Sequence, residues 1–337
     1  MRNELASMVG MTLVSLVTIY APVAIAGETH GNALVLGGGG PVGEAWESGV
    51  IAGLADKGVY LSRMDRIIGT SAGAVVGARL AMGMTPEQLI QQSLTRFEGA
   101  PPAPTQKPPP PPDLSFLVSQ LEELNAGRTT EQSVGIEVGK WALNVHPIAT
   151  ESEFVASFWR RFPKKRWPSG AYECVSVNAA DGSLRVWNGS SGVPLALAVA
   201  SSCALPGLFA PVEIDGQPYM DGGARSATNA DLARGSKTAI VMVPTAGINH
   251  PLATLSVPRL DVEVGMLRKS GCRVALILPD SSSTRAFGQI GAEENRNAAA
   301  MDAGRIEGHA KANEIAALLN TSEDSRGIHR RCPNTEP

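Results

Sequence analysis

Histidine and cysteine are scarce in this chain of 337 residues, which holds five of the first and four of the second. Cys174, Cys203, Cys272 and Cys332 make no CxxC pair and no His/Cys cluster at ligand spacing, which excludes a metal-held module of the zinc-finger kind. Charged residues are only 18% of the total and nearly cancel to a formal net charge of −3. That removes the global electrostatic reason to expect nucleic acid as a partner. No internal repeat is visible. Four cysteines permit disulfides in an oxidising compartment, with three pairings if all join. Cys203, among small apolar residues, reads as a buried thiol, and Cys272 with Cys332 as a pair able to tie down the tail.

The N-terminus reads as an export signal. Arg2 gives a positive start, an apolar stretch runs from Met8 to Ala26, and it closes on the small-x-small sequence Ala24-Ile25-Ala26. The expectation is a signal peptide over 1–26, a mature chain starting at Gly27, and a periplasmic or secreted protein. The alternative is an uncleaved membrane anchor. Thr12, Ser15, Thr18 and Pro22 make the stretch a poor permanent span.

Beyond it, Ala33–Leu36 is a short apolar strand ending in Gly37-Gly38-Gly39-Gly40. Helical spacing of Ala45, Val50, Ile51 and Leu54 predicts a helix over 44–57. Arg66–Ile68 is a second strand, followed by Gly69-Thr70-Ser71-Ala72-Gly73 and an apolar helix over 74–82. This order implies parallel strands joined by a crossover. Thr85 caps a further helix with Pro86 at its first position. Residues 100–113 are rich in proline, read as an exposed linker or, alternatively, a proline-recognition ligand. Residues 114–143 are expected as two helices and Thr150–Glu153 as a capping box opening a third. Together, residues 114–165 are expected to form a helical cap region within one domain over 27–320. Strands are expected at Tyr172–Asn178, Leu184–Trp187, Ala239–Val243 and Val274–Leu278, a long helix at 296–319, and a polar tail over 321–337.

Two glycine motifs carry chemistry. Gly69-x-Ser71-x-Gly73 fits the sharp strand-to-helix turn that exposes a serine hydroxyl, with a helix N-terminus beside it. The Gly38–Gly40 loop supplies backbone N–H groups for an oxyanion, and Gly43 completes a GxGxxG pattern. That pattern is equally a dinucleotide fingerprint, but the next strand ends in Gly69-Thr70-Ser71 where an acidic residue would be needed. A general α/β-hydrolase with a Ser-His-Asp triad also uses GxSxG. Such a fold normally places several strands before its nucleophile, whereas residues 27–70 have room for one βαβ unit.

The chain resembles the patatin-like phospholipase family through four blocks: residues 34–43, residues 68–74, the stretch Ala200-Ser201-Ser202-Cys203-Ala204-Leu205-Pro206-Gly207-Leu208-Phe209-Ala210-Pro211, and Tyr219-Met220-Asp221-Gly222-Gly223. Val42 stands where the family often has arginine. The resemblance implies a three-layer α/β/α sandwich around a mostly parallel sheet. It implies Ser71 as nucleophile, Asp221 as base, and Gly38, Gly39 and Gly40 as the oxyanion hole, with Gly43, Gly69, Gly73, Gly222 and Gly223 supporting the motifs. The implied substrate is an acyl ester of a glycerolipid at a membrane surface, hydrolysed with no metal or cofactor. A member that binds lipid without turning it over is the alternative of a different class.

On the residues themselves, the Gly222-Gly223 pair lets a sharp turn bring the Asp221 carboxylate to Ser71. Partial burial must then raise its basicity, or the proton must move in concert with the attack. Asp215-Gly216 is the plain hairpin turn. Arg225, Asn229 and Asp231 are candidates to brace the Asp221 loop. The basic, aromatic stretch 158–168 reads as a solvated helix end with its aromatics inward, or as a seat on an anionic membrane. His250 and His309 sit in no recognisable catalytic context.

Overall fold

Strand β1 (His30–Leu36) alternates its side chains between two apolar layers, and the whole fold is organised by that alternation. Leu34 and Leu36 enter one core, Ala33 and Val35 the other. The computed structural model describes residues 30–95, 113–163, 167–168, 172–288 and 296–327. The expected signal peptide and its cleavage site, the proline-rich residues 100–112, Lys164-Lys165-Arg166, Cys332 and the tail from 328 lie outside the described residues.

After β1 come α1 (Gly40–Asp56), β2 (Arg66–Thr70), α2 (Ala72–Ala81) and α3 (Pro86–Leu94). Then follow α4 (Ser115–Asn125), α5 (Glu131–Ala142), α6 (Glu151–Arg161), β3 (Tyr172–Asn178), β4 (Leu184–Trp187) and α7 (Leu195–Ser202). The remainder is β5 (Val212–Ile214), β6 (Gln217–Asp221), β7 (Ser236–Met242), α8 (Pro251–Thr254), α9 (Ser256–Lys269), β8 (Arg273–Ile277), α10 (Ser281–Phe287) and α11 (Asn297–Gly327). The sheet has eight strands in the order β5-β6-β3-β2-β1-β7-β8, with β4 also on β3. The β3-β2-β1-β7-β8 portion is parallel, and β4, β5 and β6 join antiparallel. One face packs on α1, α2, α3, α6, α7 and α11, the other on α9 and the 230–233 turn. The expected α/β/α layering is what is found.

The cap expected over 114–165 divides differently. Helices α4 and α5 cover the end of β3 through Leu117, Val134 and Val138, which pack on Val177, Ala179 and Met220. Helix α6, opened by its Thr150 capping box, instead sends Phe154, Phe158 and Phe162 into the main core. It is part of the sandwich. Trp159 and Trp167 also pack against that core, and the Trp167 indole N–H donates to the Val193 carbonyl at 2.7 Å. The aromatics of this stretch therefore face inward. Helix α11 runs eight residues past the expected end at 319.

Helix α1 begins four residues earlier than its apolar spacing indicated, because the glycine loop itself winds into its first turn. It lies so close to α11 that a Cβ on Gly49 would sit 2.1 Å from the Met301 carbonyl oxygen, and one on Gly304 2.3 Å from that of Trp46. Two carboxyls are buried on this helix. Glu44 pairs with Arg79 at 2.6 Å. Glu47 has neither carboxyl oxygen satisfied by a partner among the described residues. Its burial raises its pKa well above the usual carboxylate range. The Gly37 N–H offsets this only in part, being spent on the Met242 carbonyl at 3.1 Å, and Glu44 adds repulsion.

Glu47 is therefore a neutral acid in the fold and an ionised one when unfolded at neutral pH. Its contribution to stability is fully present below about pH 4.5, the ordinary glutamate value, and is lost as pH rises toward the folded value. Glu47→Met should gain about 1–4 kcal/mol at pH 8, with the gain shrinking as pH falls. Urea melts of both proteins from pH 4 to 8 check this. A constant difference across that range would mean that Glu47 ionises in the fold at its ordinary value.

Candidate active site

The register of β3 explains how two residues 150 positions apart come together. Val175 pairs with Val186 of β4 on one side and Thr70 of β2 on the other. Ser176 pairs with Arg185 of β4 on one side and Asp221 of β6 on the other. A strand residue has one neighbour on each side, so β2 and β6 share a single edge of β3. Parallel β2 ends at Thr70 where antiparallel β6 arrives and ends at Asp221. The chain leaves the sheet at both points, and Ser71 meets Asp221 in the gap.

Ser71 is at φ 54°, ψ −116°, a left-handed conformation that a non-glycine residue adopts only when its surroundings impose it. Four contacts do so. The Ser71 N–H donates to Ser202 Oγ at 3.1 Å, and Ser202 Oγ donates onward to the Val175 carbonyl at 2.6 Å. The Cys203 thiol donates to the Ser71 carbonyl at 3.2 Å, and that carbonyl also receives the Ala74 N–H of α2 at 2.9 Å. Gly69 and Gly73 permit the turn: a Cβ at Gly69 would lie 2.4 Å from the Gly73 carbonyl oxygen, and one at Gly73 2.1 Å from that of Leu36.

Asp221 is 2% exposed. Burial raises its pKa to about 7, against hydrogen bonds from the Gly223 N–H and the Ser71 hydroxyl that pull it down. The Gly223 bond, 2.7 Å to Oδ1, caps the short 3-10 turn at Gly222–Ala224. Gly222 is needed for packing, since a Cβ there would approach the Val175 carbonyl to 2.7 Å. A Cβ on Gly223 would stand 3.0 Å from Asp221 Oδ1. The result is a carboxyl group that titrates near neutrality, beside a serine held in a left-handed backbone conformation.

The glycine loop lies against this pair. A Cβ on Gly38 would be 3.5 Å from Ser71 Cβ, and the Gly73 N–H donates to the Gly37 carbonyl at 3.0 Å. The Gly38 N–H, expected as an oxyanion donor, donates to the Ala227 carbonyl at 2.7 Å. It braces the loop instead. Gly39 caps α1 and Gly40 opens it at φ 60°, so their N–H groups have no acceptor within the helix. Gly43 packs on Pro244, with its Cβ position 3.1 Å from Pro244 Cβ.

The expected braces are present. Arg225 binds Asp231 at 2.7 Å and Asn229 at 2.7 Å, and it also bonds Glu131 at the start of α5 at 2.5 Å. His309 instead pairs with Asp56 at the surface. Ser202 and Cys203 stood in one of the quoted blocks, but their grip on the Ser71 backbone was not foreseen. Cys203 is half-buried, and among the described residues Cys174 and Cys272 form no disulfide.

A sequence profile described as patatin-like phospholipase matches residues 34–234, a span that takes in both glycine motifs, the Ser202 block and the Asp221 turn. Comparison with curated protein sequences gives no match. Among solved structures, VipD from Legionella pneumophila is similar with a TM-score of 0.41 and 15% identity, over 88% of this chain and 67% of that one. The type III effector protein ExoU gives 0.37 and 14%, over 85% and 53%. The heterodimeric ExoU-SpcU complex from the type III secretion system of Pseudomonas aeruginosa gives 0.37 and 14%, over 90% and 60%. The chain thus spans between about half and two thirds of the length of these structures. With more than half of its own residues covered by the profile, the chain belongs to the patatin-like phospholipase family.

Proposed function

We propose that this chain hydrolyses carboxylic esters of glycerolipids through a Ser71–Asp221 dyad and an acyl-enzyme. The observation that carries the reading is the buried Asp221 carboxyl, brought beside Ser71 by the shared edge of β3 and pushed by burial to a pKa of about 7. A carboxylate at its ordinary basicity takes a serine proton poorly, and desolvation supplies the missing basicity.

In the first half-reaction Asp221 takes the hydroxyl proton as Ser71 Oγ bonds to the ester carbonyl carbon. The resulting oxyanion faces the free amides of Gly39 and Gly40 and the N-terminus of α2. Collapse breaks the bond to the alcohol oxygen, which leaves with the proton from Asp221. Water then gives a proton to Asp221 as its oxygen bonds to the acyl carbon, and collapse breaks the bond to Ser71 Oγ, which takes that proton back as the fatty acid leaves.

A serine-directed phosphonate should label the wild-type chain rapidly and Ser71→Ala not at all. A wild-type chain that stays unlabelled while folded would make this a lipid-binding member without turnover. For the hydrolase, kcat/KM on a soluble short-chain ester should rise with pH through about 7 and then level, because the ionised carboxylate is the active form. A profile flat from pH 5 to 9 would remove Asp221 as base.

Asp221→Asn should lose about a thousandfold or more in kcat, since an amide keeps the shape but accepts no proton. It should also be the more stable protein at alkaline pH. The folded-state pKa of Asp221 is about 7 against 3.8 for the ordinary group, so its stabilisation is complete below pH 3.8 and lost as pH rises through 7. The difference at pH 8 is at most about 4 kcal/mol. Thermal melts at pH 4 and pH 8 check the sign; an Asn variant less stable at pH 8 than at pH 4, relative to wild type, would contradict it.

The chain is further proposed to act outside the cytoplasm, on the strength of its N-terminal sequence. Mass spectrometry of the exported protein should give Gly27 as the first residue. An intact Met1 in the membrane fraction would mean an anchor instead.

A further inference from the structure

Asn229 is fully buried and stands at φ 50°, ψ 38° in the short loop after the Asp221 turn. Asparagine tolerates this left-handed geometry better than most residues. Its side-chain amide reaches two places that matter to the chemistry. Nδ2 donates to Thr70 Oγ1 at 3.1 Å and lies 3.3 Å from the Gly222 carbonyl, with a third bond to the Ser226 carbonyl at 2.8 Å. Thr70 immediately precedes Ser71, and Gly222 immediately follows Asp221. One planar group therefore spans the gap at which β2 and β6 end.

The orientation of that amide is fixed from behind. Its Oδ1 accepts from Arg225 at 2.7 Å, so the two N–H bonds can only point toward Thr70, Gly222 and Ser226. Arg225 is itself held by Asp231 and Glu131. Thr70 is wholly buried, and its hydroxyl also donates a long bond, 3.5 Å, to the Thr228 carbonyl. A loop merely needing a left-handed residue would be served as well by glycine. The side chain adds a link between the Thr70 hydroxyl and the Gly222 carbonyl, each one residue from a member of the pair.

We propose that Asn229 is a positioning residue of the dyad, setting the distance between Ser71 Oγ and the Asp221 carboxylate by tying Thr70 to Gly222. It touches neither substrate nor the reacting atoms. The inference rests on the Ser71–Asp221 reading above.

The test uses the full chain, p-nitrophenyl butyrate as soluble ester, and the phosphonate label. Asn229→Gly keeps the left-handed backbone and removes the amide. Thr70→Val removes one acceptor at nearly constant shape. Asn229→Gly should lower kcat about ten- to a hundredfold, the cost of a misplaced reacting pair, with KM within about twofold and phosphonate labelling slowed in parallel. Thr70→Val should lower kcat less, and it should have little further effect in the Asn229→Gly background, because the two share one bond. Melting curves fix the folded fraction of each variant.

Independent, multiplicative losses from the two changes would overturn the proposal, as would an Asn229→Gly enzyme with wild-type kcat. So would a loss accounted for entirely by unfolded protein. A wild-type chain inert to both ester and phosphonate would instead overturn the dyad reading, and this inference with it.

Discussion

The edge of β3 that serves two strands end to end is the constraint from which the site follows. Parallel β2 needs a crossover helix and antiparallel β6 a hairpin, so their C-terminal ends can point at each other only where both stop. They stop on consecutive rungs, at Val175 and Ser176. At such a break the backbone groups lose their ladder partners and must find others. The stretch after α7 provides them: Ser202 Oγ takes the Ser71 N–H, and the Ala204 carbonyl takes the Asp221 N–H at 3.0 Å. Two residues of one loop thus hold both halves of the pair, and Asn229 approaches from a different segment. The left-handed Ser71 is sustained by this surplus of fixed partners.

Burial at the break has a chemical consequence and an energetic one, with the same cause. Removing water from around Asp221 raises its pKa to about 7, which on the proposed reading is what lets it take a proton from serine. The same desolvation makes ionised Asp221 a burden on the fold. The oxyanion loop shows a similar division of labour. Gly38 gives up its N–H to Ala227, which pins the loop to the segment following the Asp221 turn. Gly39 and Gly40, at the start of α1, have no acceptor for theirs within the helix.

What was legible in the sequence is what depends on local backbone geometry. The two glycine loops, the Thr85 and Thr150 caps, the Asp215-Gly216 hairpin and the bounds of β3 and β4 all follow from nearest neighbours in the chain. Helix α7 did not, because Leu195–Ser202 is buried almost all round and so carries no polar face to give it a period. Helix α6 looked like cap because it follows two cap helices, while its three phenylalanines belong to the main core. Tyr172–Asn178 read as an alternating strand, yet it is buried nearly throughout since it lies inside the sheet. The fate of the Gly38 N–H and the reach of Asn229 to Thr70 depend on contacts between residues well over a hundred positions apart. No spacing in the chain reports such contacts.

The cap enters the same arithmetic through one guanidinium. Arg225 is four residues past Asp221, and it orients the Asn229 amide while it bonds Glu131 in the first turn of α5. Glu131 is also bonded by Arg259 of α9. Placed at a helix N-terminus, its charge is favourable to α5 before either arginine is counted. The side chains of Glu131 and Arg225 are only partly shielded, at 35% and 11% exposure, so the pair is neither a screened surface contact nor a sealed internal one. A displacement of α5 away from the sheet therefore has to separate Arg225 from Glu131, while Asp231 retains the guanidinium through two oxygens. The bonds nearest the reacting pair are the ones with duplicate support, and the bond to the cap is the one that can be given up without releasing Asn229.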